Sequence, residues 1–193
     1  DWQHVPEFGE CYPPDYVVLV NSNCSYIDRC NYSVYKPKSV QVIVIVSNFT
    51  NKDQKLPGGA FYITDCAVSC EQTLFINCTS HGAGGAIYVK NSKELNNSIN
   101  FQVLTFFMCK ALYGGALYLY SSYEPNNVLL YQCKFYSNSL IQEGVNKKDG
   151  LFGGNACFLT TKQANISSCI FKNNVGKNGA VKIYSNFDDD EIQ

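Results

Sequence analysis

The 193-residue chain is close to neutral, with 15 basic and 16 acidic residues and a formal net charge of -1. Because it offers no basic field to attract a phosphate backbone, nucleic-acid binding is not expected. Tyr and Phe number 14 and 12, hydrophobic residues make up 46% of the chain, and no long segment has helical periodicity, which together favour an all-β fold.

Residues 1–40 differ from the rest of the chain. They contain Trp2, several prolines and three cysteines, Cys11, Cys24 and Cys30. The segments that follow repeat, and a stack of repeats exposes its core at the first unit unless something covers it. We therefore predict that residues 1–40 form an N-terminal cap held by disulfide bonds.

The cysteines of the whole chain indicate its compartment. There are ten, and no two have the CxxC spacing that is typical of zinc sites. The two histidines, His4 and His81, belong to no ligand pattern, so we expect neither a metal ion nor another cofactor. Disulfides are the better interpretation, and they imply an oxidising compartment, either extracellular or at the cell surface. Two close pairs are candidates for local disulfides: Cys24 with Cys30, and Cys66 with Cys70.

A repeat occupies residues 41–185. Its marker is a Gly-Gly-Ala triplet, or a variant with Asn in place of one glycine, followed by an apolar strand. The alanines of the five units are Ala60, Ala86, Ala116, Ala156 and Ala180. They are 26, 30, 40 and 24 residues apart, and a unit of about 24 residues made of strands and turns fits one coil of a three-faced solenoid. We predict a right-handed parallel β-helix of about five coils, with the longer spacings as loops at its corners.

A second motif precedes the triplets: a large apolar residue three positions before a cysteine. It occurs as Phe75/Cys78, Phe106/Cys109, Leu130/Cys133 and Ile166/Cys169, and Ile45/Asn48 takes its place in the first unit. On this alignment the four cysteines stack about 4.8 Å apart, which is within the range for disulfides. Either inter-coil disulfides, with Cys78 and Cys109 as candidates, or a ladder of buried free thiols fits this spacing.

The residues after each alanine predict which side chains face the core, because strand side chains alternate between two faces. The first position is apolar throughout: Phe61, Ile87, Leu117, Cys157 and Val181. The third position is apolar as well: Ile63, Val89, Leu119, Leu159 and Ile183. The position between them must point outward: Tyr62, Tyr88, Tyr118, Phe158 and Lys182. The glycines before the alanine are expected at a tight corner that requires positive φ and close backbone approach.

The outward aromatic column is the candidate binding surface. Its members are Tyr62, Tyr88, Tyr118 and Phe158. Exposed rings can stack on sugars or pack against a protein partner. The alternative is that the column only stabilises the sheet, as a ladder of stacked rings.

The motif Phe75-x-x-Cys78, followed by Gly84-Gly85-Ala86, resembles the FxxN and GGA repeats of the chlamydial polymorphic outer membrane proteins. The resemblance extends over about residues 43–184 and implies a β-helical surface module of the adhesin type. Cysteine stands where that family usually has asparagine, and we expect a secreted relative from a protist or another eukaryote.

Six Asn-x-Ser/Thr sequons also favour secretion, since they are acceptors for N-glycosylation. They begin at Asn23, Asn31, Asn48, Asn77, Asn96 and Asn165. N-linked glycans are therefore expected partners of the chain. The longest apolar run, residues 42–46, is far too short to span a bilayer, so no membrane insertion is expected.

Residues 186–193 form an acidic C-terminal tail, which we interpret as a solvated end rather than a calcium site. The tail is short for covering the last coil. Three explanations stay open. The chain is a fragment of a longer solenoid, the acidic charge protects the edge, or the open coil docks onto another copy head to tail and builds a filament.

These features predict an extracellular or cell-surface structural or adhesive module, whose partners are other copies of itself or a surface protein or glycan. The alternative is a β-helical lyase or hydrolase that acts on polysaccharides. Inverting hydrolysis needs two carboxylates roughly 6.5–9.5 Å apart, and the acidic residues of the repeat share no column. A lyase needs cations to bind a uronate, but the single arginine, Arg29, lies outside the repeat. An enzyme is therefore not expected.

Overall fold

A computed structural model of the protein describes residues 16–20, 41–55, 57–64, 67–91, 98–121, 127–141, 156–161, 163–176 and 180–184. These ranges contain twenty β-strands and no helix, which confirms the predicted all-β class. In chain order the strands are β1 (Tyr16–Val20), β2 (Gln41–Ile45), β3 (Asn48–Thr50), β4 (Asp53–Gln54), β5 (Phe61–Thr64), β6 (Ala67–Glu71), β7 (Leu74–Ile76), β8 (Thr79–Ser80), β9 (Ile87–Asn91), β10 (Ile99–Gln102), β11 (Thr105–Phe107), β12 (Lys110–Ala111), β13 (Leu117–Ser121), β14 (Asn127–Tyr131), β15 (Lys134–Tyr136), β16 (Ser139–Leu140), β17 (Cys157–Thr160), β18 (Gln163–Ser167), β19 (Ile170–Lys172) and β20 (Val181–Tyr184).

The strands pair in parallel within four sheets. Sheet A has the order β1-β2-β6-β10-β14-β18, sheet B β3-β7-β11-β15-β19, sheet C β4-β8-β12-β16 and sheet D β5-β9-β13-β17-β20. From β2 to β17 the chain passes four times through sheets A, B, C and D in turn, and it then continues through β18 in sheet A, β19 in sheet B and β20 in sheet D. We call one such passage a coil. This path is compatible with a β-helix or solenoid, and it has four sheets where the repeat length had suggested three faces.

Sheet B contributes a ladder of phenylalanines to the core. Its members are Phe49, Phe75, Phe106, Phe135 and Phe171. Consecutive ring centroids lie 5.4, 5.0, 4.7 and 4.7 Å apart, and the rings are nearly parallel. The first four rings are fully buried, and burial of each such side chain stabilises the fold by about 1.5–3 kcal/mol. The middle residue of each short strand of sheet B therefore fills the core from one side.

The predicted core columns of sheet D are confirmed over four strands. The residues that pair in register across β5, β9, β13 and β17 are at most 3% exposed: Phe61, Ile87, Leu117 and Cys157, and Ile63, Val89, Leu119 and Leu159. The last strand, β20, departs from this pattern. There Val181 is only partly buried and Ile183 is 50% exposed.

The alanines line up from coil to coil, as predicted. The Ala60 N–H donates to the Ala86 carbonyl at 2.8 Å, and the next two alanines repeat the contact at 2.9 Å. In the first three triplets, the two glycines that precede the alanine have different roles. Gly84 has a φ of +68°, whereas a Cβ atom on Gly85 would lie 2.0 Å from the Gly115 carbonyl oxygen. The first glycine allows the turn, and the second allows neighbouring coils to approach closely.

Two further corners turn through residues other than glycine, which the sequence did not predict. At the corner between sheets A and B, positive φ values of 47–55° occur at Val46, Gln72, Val103, Gln132 and Ser168. At the corner between sheets B and C, values of 51–56° occur at Asn51, Asn77, Met108, Ser137 and Asn173. This conformation costs a residue with a side chain about 1–2 kcal/mol. Most of these residues donate their N–H to a carbonyl of the next coil, which offsets part of that cost.

The predicted alignment of the second motif is wrong for half of its cysteines. Cys78 and Cys109 follow sheet B, at the corner between sheets B and C, whereas Cys133 and Cys169 precede sheet B, at the corner between sheets A and B. The four cysteines therefore form two separate pairs rather than one column. The column that contains Phe75 and Phe106 begins at Phe49 rather than Ile45. It continues with Phe135 and Phe171 rather than with Leu130 and Ile166. Cysteine occurs at both corners, so an alignment of the repeats on their cysteines places residues of the corner before sheet B opposite residues of the corner after it.

Only one strand of the predicted N-terminal cap lies among the described residues. This strand, β1, pairs in parallel with β2, with Tyr16 opposite Gln41, and so extends sheet A. The remainder of residues 1–40, the acidic tail 186–193 and most of the long insertion before Ala156 lie outside the described residues.

Candidate functional site

Three tyrosines form a ladder on the outer face of sheet D. Tyr62, Tyr88 and Tyr118 are the second residues of β5, β9 and β13 and pair in register. Their ring centroids lie 5.2 and 5.5 Å apart, with interplanar angles of 6° and 8°. The fourth predicted member, Phe158, pairs in register with Tyr118, but its side chain is not among those the structure describes. Three of the four predicted members thus form a stack of rings.

The tyrosine ladder points away from the core without being fully solvated. Tyr118 is 8% exposed and belongs to a second apolar cluster outside the core. The other members of that cluster are Ala83, Tyr88, Tyr113 and Tyr120. Burial, with a smaller contribution from neighbouring tyrosines, raises the pKa of Tyr88 to about 12 and also raises that of Tyr118. These phenols resist ionisation because the surrounding rings exclude water.

The stacking limits what the tyrosine ladder can bind. The Tyr88 ring has Tyr62 on one face and Tyr118 on the other, so no sugar ring can stack on either face. The ladder offers ring edges and hydroxyl groups instead. Each aromatic pair stabilises the sheet by about 0.5–1.5 kcal/mol. This geometry favours the stabilising interpretation of the column, and its role in binding stays a prediction.

A second surface lies on the outer face of sheet B. Phe107, the last residue of β11, is 38% exposed, and Met108, which follows it at the corner, is 40% exposed. Ile76 and Tyr136 pair in register with Phe107 from the coils on either side and are partly exposed. This surface was not predicted from the sequence. A signal was present in the run from Phe106 to Met108, since consecutive large apolar residues in a strand cannot all face the core.

Three exposed lysines accompany these apolar residues. Lys134 and Lys172 lie on β15 and β19 of sheet B, and Lys110 lies on β12 of the adjacent sheet C. They come from three successive coils, which are spaced by about 4.8 Å. The described residues between 98 and 184 include no Asp or Glu. We define the lysine–aromatic surface as Ile76, Phe107, Met108, Lys110, Lys134, Tyr136 and Lys172.

A ladder of hydrogen bonds lines the corner between sheets B and C, inside the core. Asn138 is fully buried; its Oδ1 accepts the Cys109 N–H at 2.9 Å, and its Nδ2 donates to the Phe106 carbonyl at 3.2 Å. Asn174 repeats the two contacts one coil further on, at 3.0 and 2.8 Å. In earlier coils the thiols of Cys78 and Cys109 take this position, and they donate to the equivalent phenylalanine carbonyls at 3.5 and 3.8 Å. Cysteine and asparagine are thus structural equivalents at this corner.

The described cysteines are free thiols: Cys70, Cys78, Cys109, Cys133, Cys157 and Cys169. For Cys78 and Cys109 the structure therefore has the buried thiols, the second of the two predicted alternatives. Cys70, predicted to bridge to Cys66, is likewise a free thiol, so this local disulfide is absent from the structure. A hydrogen bond from Cys109 lowers the pKa of Cys78, while burial raises the pKa of Cys109. Burial also raises the pKa of Cys70 and of Cys133 to about 12. The other three predicted disulfide cysteines lie outside the described residues: Cys24, Cys30 and Cys66.

Three of the predicted glycosylation sites are described, and all three are exposed: Asn48, Asn77 and Asn165. The Asn48 Oδ1 accepts the Thr50 hydroxyl of the same sequon at 3.0 Å. The Asn77 Nδ2 donates to Asn51 Oδ1 in the preceding coil at 2.8 Å. Their exposure is what attachment of a glycan requires. The remaining three fall outside the described ranges: Asn23, Asn31 and Asn96.

His81 is exposed at a turn. Its Nε2 lies 3.2 Å from the carboxylate of Asp53 in the preceding coil, and both side chains are more than half exposed. A solvated pair of this kind contributes little to stability. Across the described part of the chain, no group of three or more His, Cys, Asp or Glu side chains is placed to hold a metal ion.

Within the ranges given above, no helix is long and apolar enough to cross a membrane. No protein-family model, curated protein or solved structure matches the chain.

Proposed function

We propose that the chain is an extracellular or cell-surface structural and adhesive module without enzymatic activity. In this proposal it is a right-handed parallel β-helix of about five coils with a disulfide-bearing N-terminal cap. One observation carries the proposal: the same outward positions recur on every coil, so that side chains form continuous columns along sheets B and D. Columns of this kind suit extended contact with a partner surface.

Stacked ladders on several sides support a stiff module. The ladder of phenylalanines that contains Phe75 fills the core, and the tyrosine ladder that contains Tyr88 covers sheet D. The ladder of hydrogen bonds that contains Asn138 connects successive coils at the corner between sheets B and C. Each joins one coil directly to the next, so bending would disturb all three together. A stiff, repetitive body is well suited to present contacts at a distance from a cell surface.

The proposal includes stacking of copies head to tail. In support, side chains of the last described strands are less buried than their partners in the preceding coil. Ile183 is 50% exposed where Leu159 is fully buried, and Phe171 is partly exposed where Phe135 is fully buried. A second copy placed against these strands would continue the parallel sheets and cover the apolar side chains.

The adhesive role is tested by secreting the chain from a eukaryotic host and coating beads with it. We expect glycans at Asn48, Asn77 and Asn165, detected by mass spectrometry after enzymatic deglycosylation. Coated beads should adhere to cultured cells better than beads that carry the same chain after thermal unfolding. Equal retention of the two bead types would reject the adhesive role.

The head-to-tail part is tested separately, by light scattering and electron microscopy of the secreted chain over a range of concentrations. Rods of a length that increases with concentration are expected. Monomers alone at high concentration would reject the filament and leave the adhesive role standing.

A further inference from the structure

We propose that the lysine–aromatic surface binds an anionic polysaccharide. The inference rests on the proposed adhesive role and deepens it by naming the class of ligand. The surface joins two kinds of group that carbohydrate recognition uses together, an exposed ring and nearby cations. It is also separate from the tyrosine ladder, whose inner ring faces are covered.

The charge of the surface is the first argument. Lys110, Lys134 and Lys172 are all exposed, and the described residues of 98–184 contain no carboxylate that could pair with them. The whole chain has a net charge of -1, so this positive region is a local feature rather than a property of the protein. Cations on an open face attract a polyanion, and salt screens that attraction.

The apolar residues at the surface are the second argument. The Phe107 side chain is 38% exposed, with Tyr136 in the next coil and Met108 beside it at the corner. A sugar ring has an apolar face that packs on an aromatic ring, and its carboxylate or sulfate groups project from the ring edge. The exposed aromatic rings can therefore pack on the apolar face of the sugar, while the lysines bind its carboxylate or sulfate groups.

The spacing of the coils is the third argument. The three lysines lie on successive coils, so they span roughly 10 Å along the stack. A polymer that lies along the stack can contact several lysines at once, and each further contact is then intramolecular. The backbone N–H and C=O groups of sheet B are already paired within the sheet. An extended acidic peptide would therefore gain no backbone hydrogen bonds on this face, which favours the polysaccharide.

Binding is measured with the secreted, glycosylated chain and four immobilised probes: polygalacturonate, dextran sulfate, neutral dextran and polyglutamate. We expect retention on the two anionic polysaccharides. This retention should decrease between 50 and 500 mM salt, because salt screens the attraction between exposed charges. The variant K110Q/K134Q/K172Q should bind about tenfold more weakly, because it removes three exposed ion pairs that each change the affinity by roughly a factor of two. Phe107→Ser should weaken binding to the polysaccharides without changing the slope against salt.

The matched control is K55Q/K90Q/K182Q, which removes the same charge from other places: Lys55 directly follows β4, and Lys90 and Lys182 lie on β9 and β20 of sheet D. It should retain most of the binding. An equal loss in both triple variants would reduce the effect to net charge and overturn the inference. Stronger binding to polyglutamate than to either anionic polysaccharide, or no binding to any probe, would overturn it as well. Bead adhesion to cells that survives K110Q/K134Q/K172Q would show that the proposed function holds while this inference fails.

Discussion

Substitutions at Gly85 and Gly82, which lie in one turn, can test how closely neighbouring coils approach each other. A Cβ atom on Gly85 would lie 2.0 Å from one backbone oxygen and 2.6 Å from another, whereas at Gly82 the nearest atom is 3.1 Å away in the Pro57 ring. Backbone cannot yield without separating two coils, but a proline ring can shift slightly. We expect Gly85→Ala to lower the free energy of unfolding by about 3 kcal/mol, and Gly82→Ala to change it little. Urea denaturation of both variants measures this, and similar losses would contradict the assignment.

A substitution of Val46 can test whether the backbone is strained at the corner between sheets A and B. It has a φ of 47° and is 48% exposed, and a β-branched residue is unfavourable in this conformation. Val46→Asn should raise the free energy of unfolding by about 1 kcal/mol, because Asn tolerates the left-handed region better. The matched control is Thr105→Gly in β11, where φ is not positive; there glycine should cost about 0.5–1 kcal/mol. Loss of stability in both variants would argue against strain at Val46.

At the scale of the element, the corner ladder between sheets B and C predicts an order of stabilities. Asn138→Ala leaves the Cys109 N–H and the Phe106 carbonyl without their partner inside the core, which should cost about 3 kcal/mol. Asn138→Cys should cost less, because a thiol at this corner can still donate to the carbonyl, as Cys109 itself does. Chemical denaturation under reducing conditions gives both values. A cysteine variant no more stable than the alanine variant would refute the equivalence of the two residues.

The sheet D strands were predictable because their marker is unambiguous. Gly-Gly-Ala fixes the register at Ala86 and Ala116, and strict alternation after the alanine then assigns every side chain to a face. The strands of sheet B were harder to place. Their marker, cysteine, occurs before the strand at Cys133 and after it at Cys109, and single residues such as Met108 turn the corners without a glycine. Three-residue strands are too short for alternation to correct such an error.

The candidate site was predictable only in part, for a similar reason. Sequence periodicity places Tyr88 on the outer face, but whether an outward ring is solvated depends on its neighbours in other coils. Those neighbours, Tyr62 and Tyr118, cover its faces. The lysines at positions 110, 134 and 172 occupy different positions of the repeat, so no column in the sequence brings them together. Their grouping follows from the stacking of three coils.

For the whole molecule, the buried tyrosine hydroxyls and cysteine thiols predict a loss of stability at alkaline pH. Tyr88, Cys70 and Cys133 have pKa values of about 12 in the fold, against roughly 10 for tyrosine and 8.5 for cysteine in an unfolded chain. Between these values the unfolded state has released protons that the folded state still holds. Stability is therefore full below about pH 8.5 and falls as the pH rises towards about 12.

Melting temperatures recorded from pH 7 to 12 in the presence of a reducing agent test this dependence. Tyr88→Phe removes one of the three groups, so between pH 10 and 12 its melting temperature should fall less steeply than that of the unmodified chain. At pH 7, where the phenol is neutral in both states, the titration contributes nothing, so the difference between the two proteins at this pH is the reference for the comparison. A melting temperature that stays constant up to pH 11 would mean that the tyrosine ladder and the thiols exchange protons freely with solvent, and that the coils are packed less tightly than their ring and backbone distances indicate.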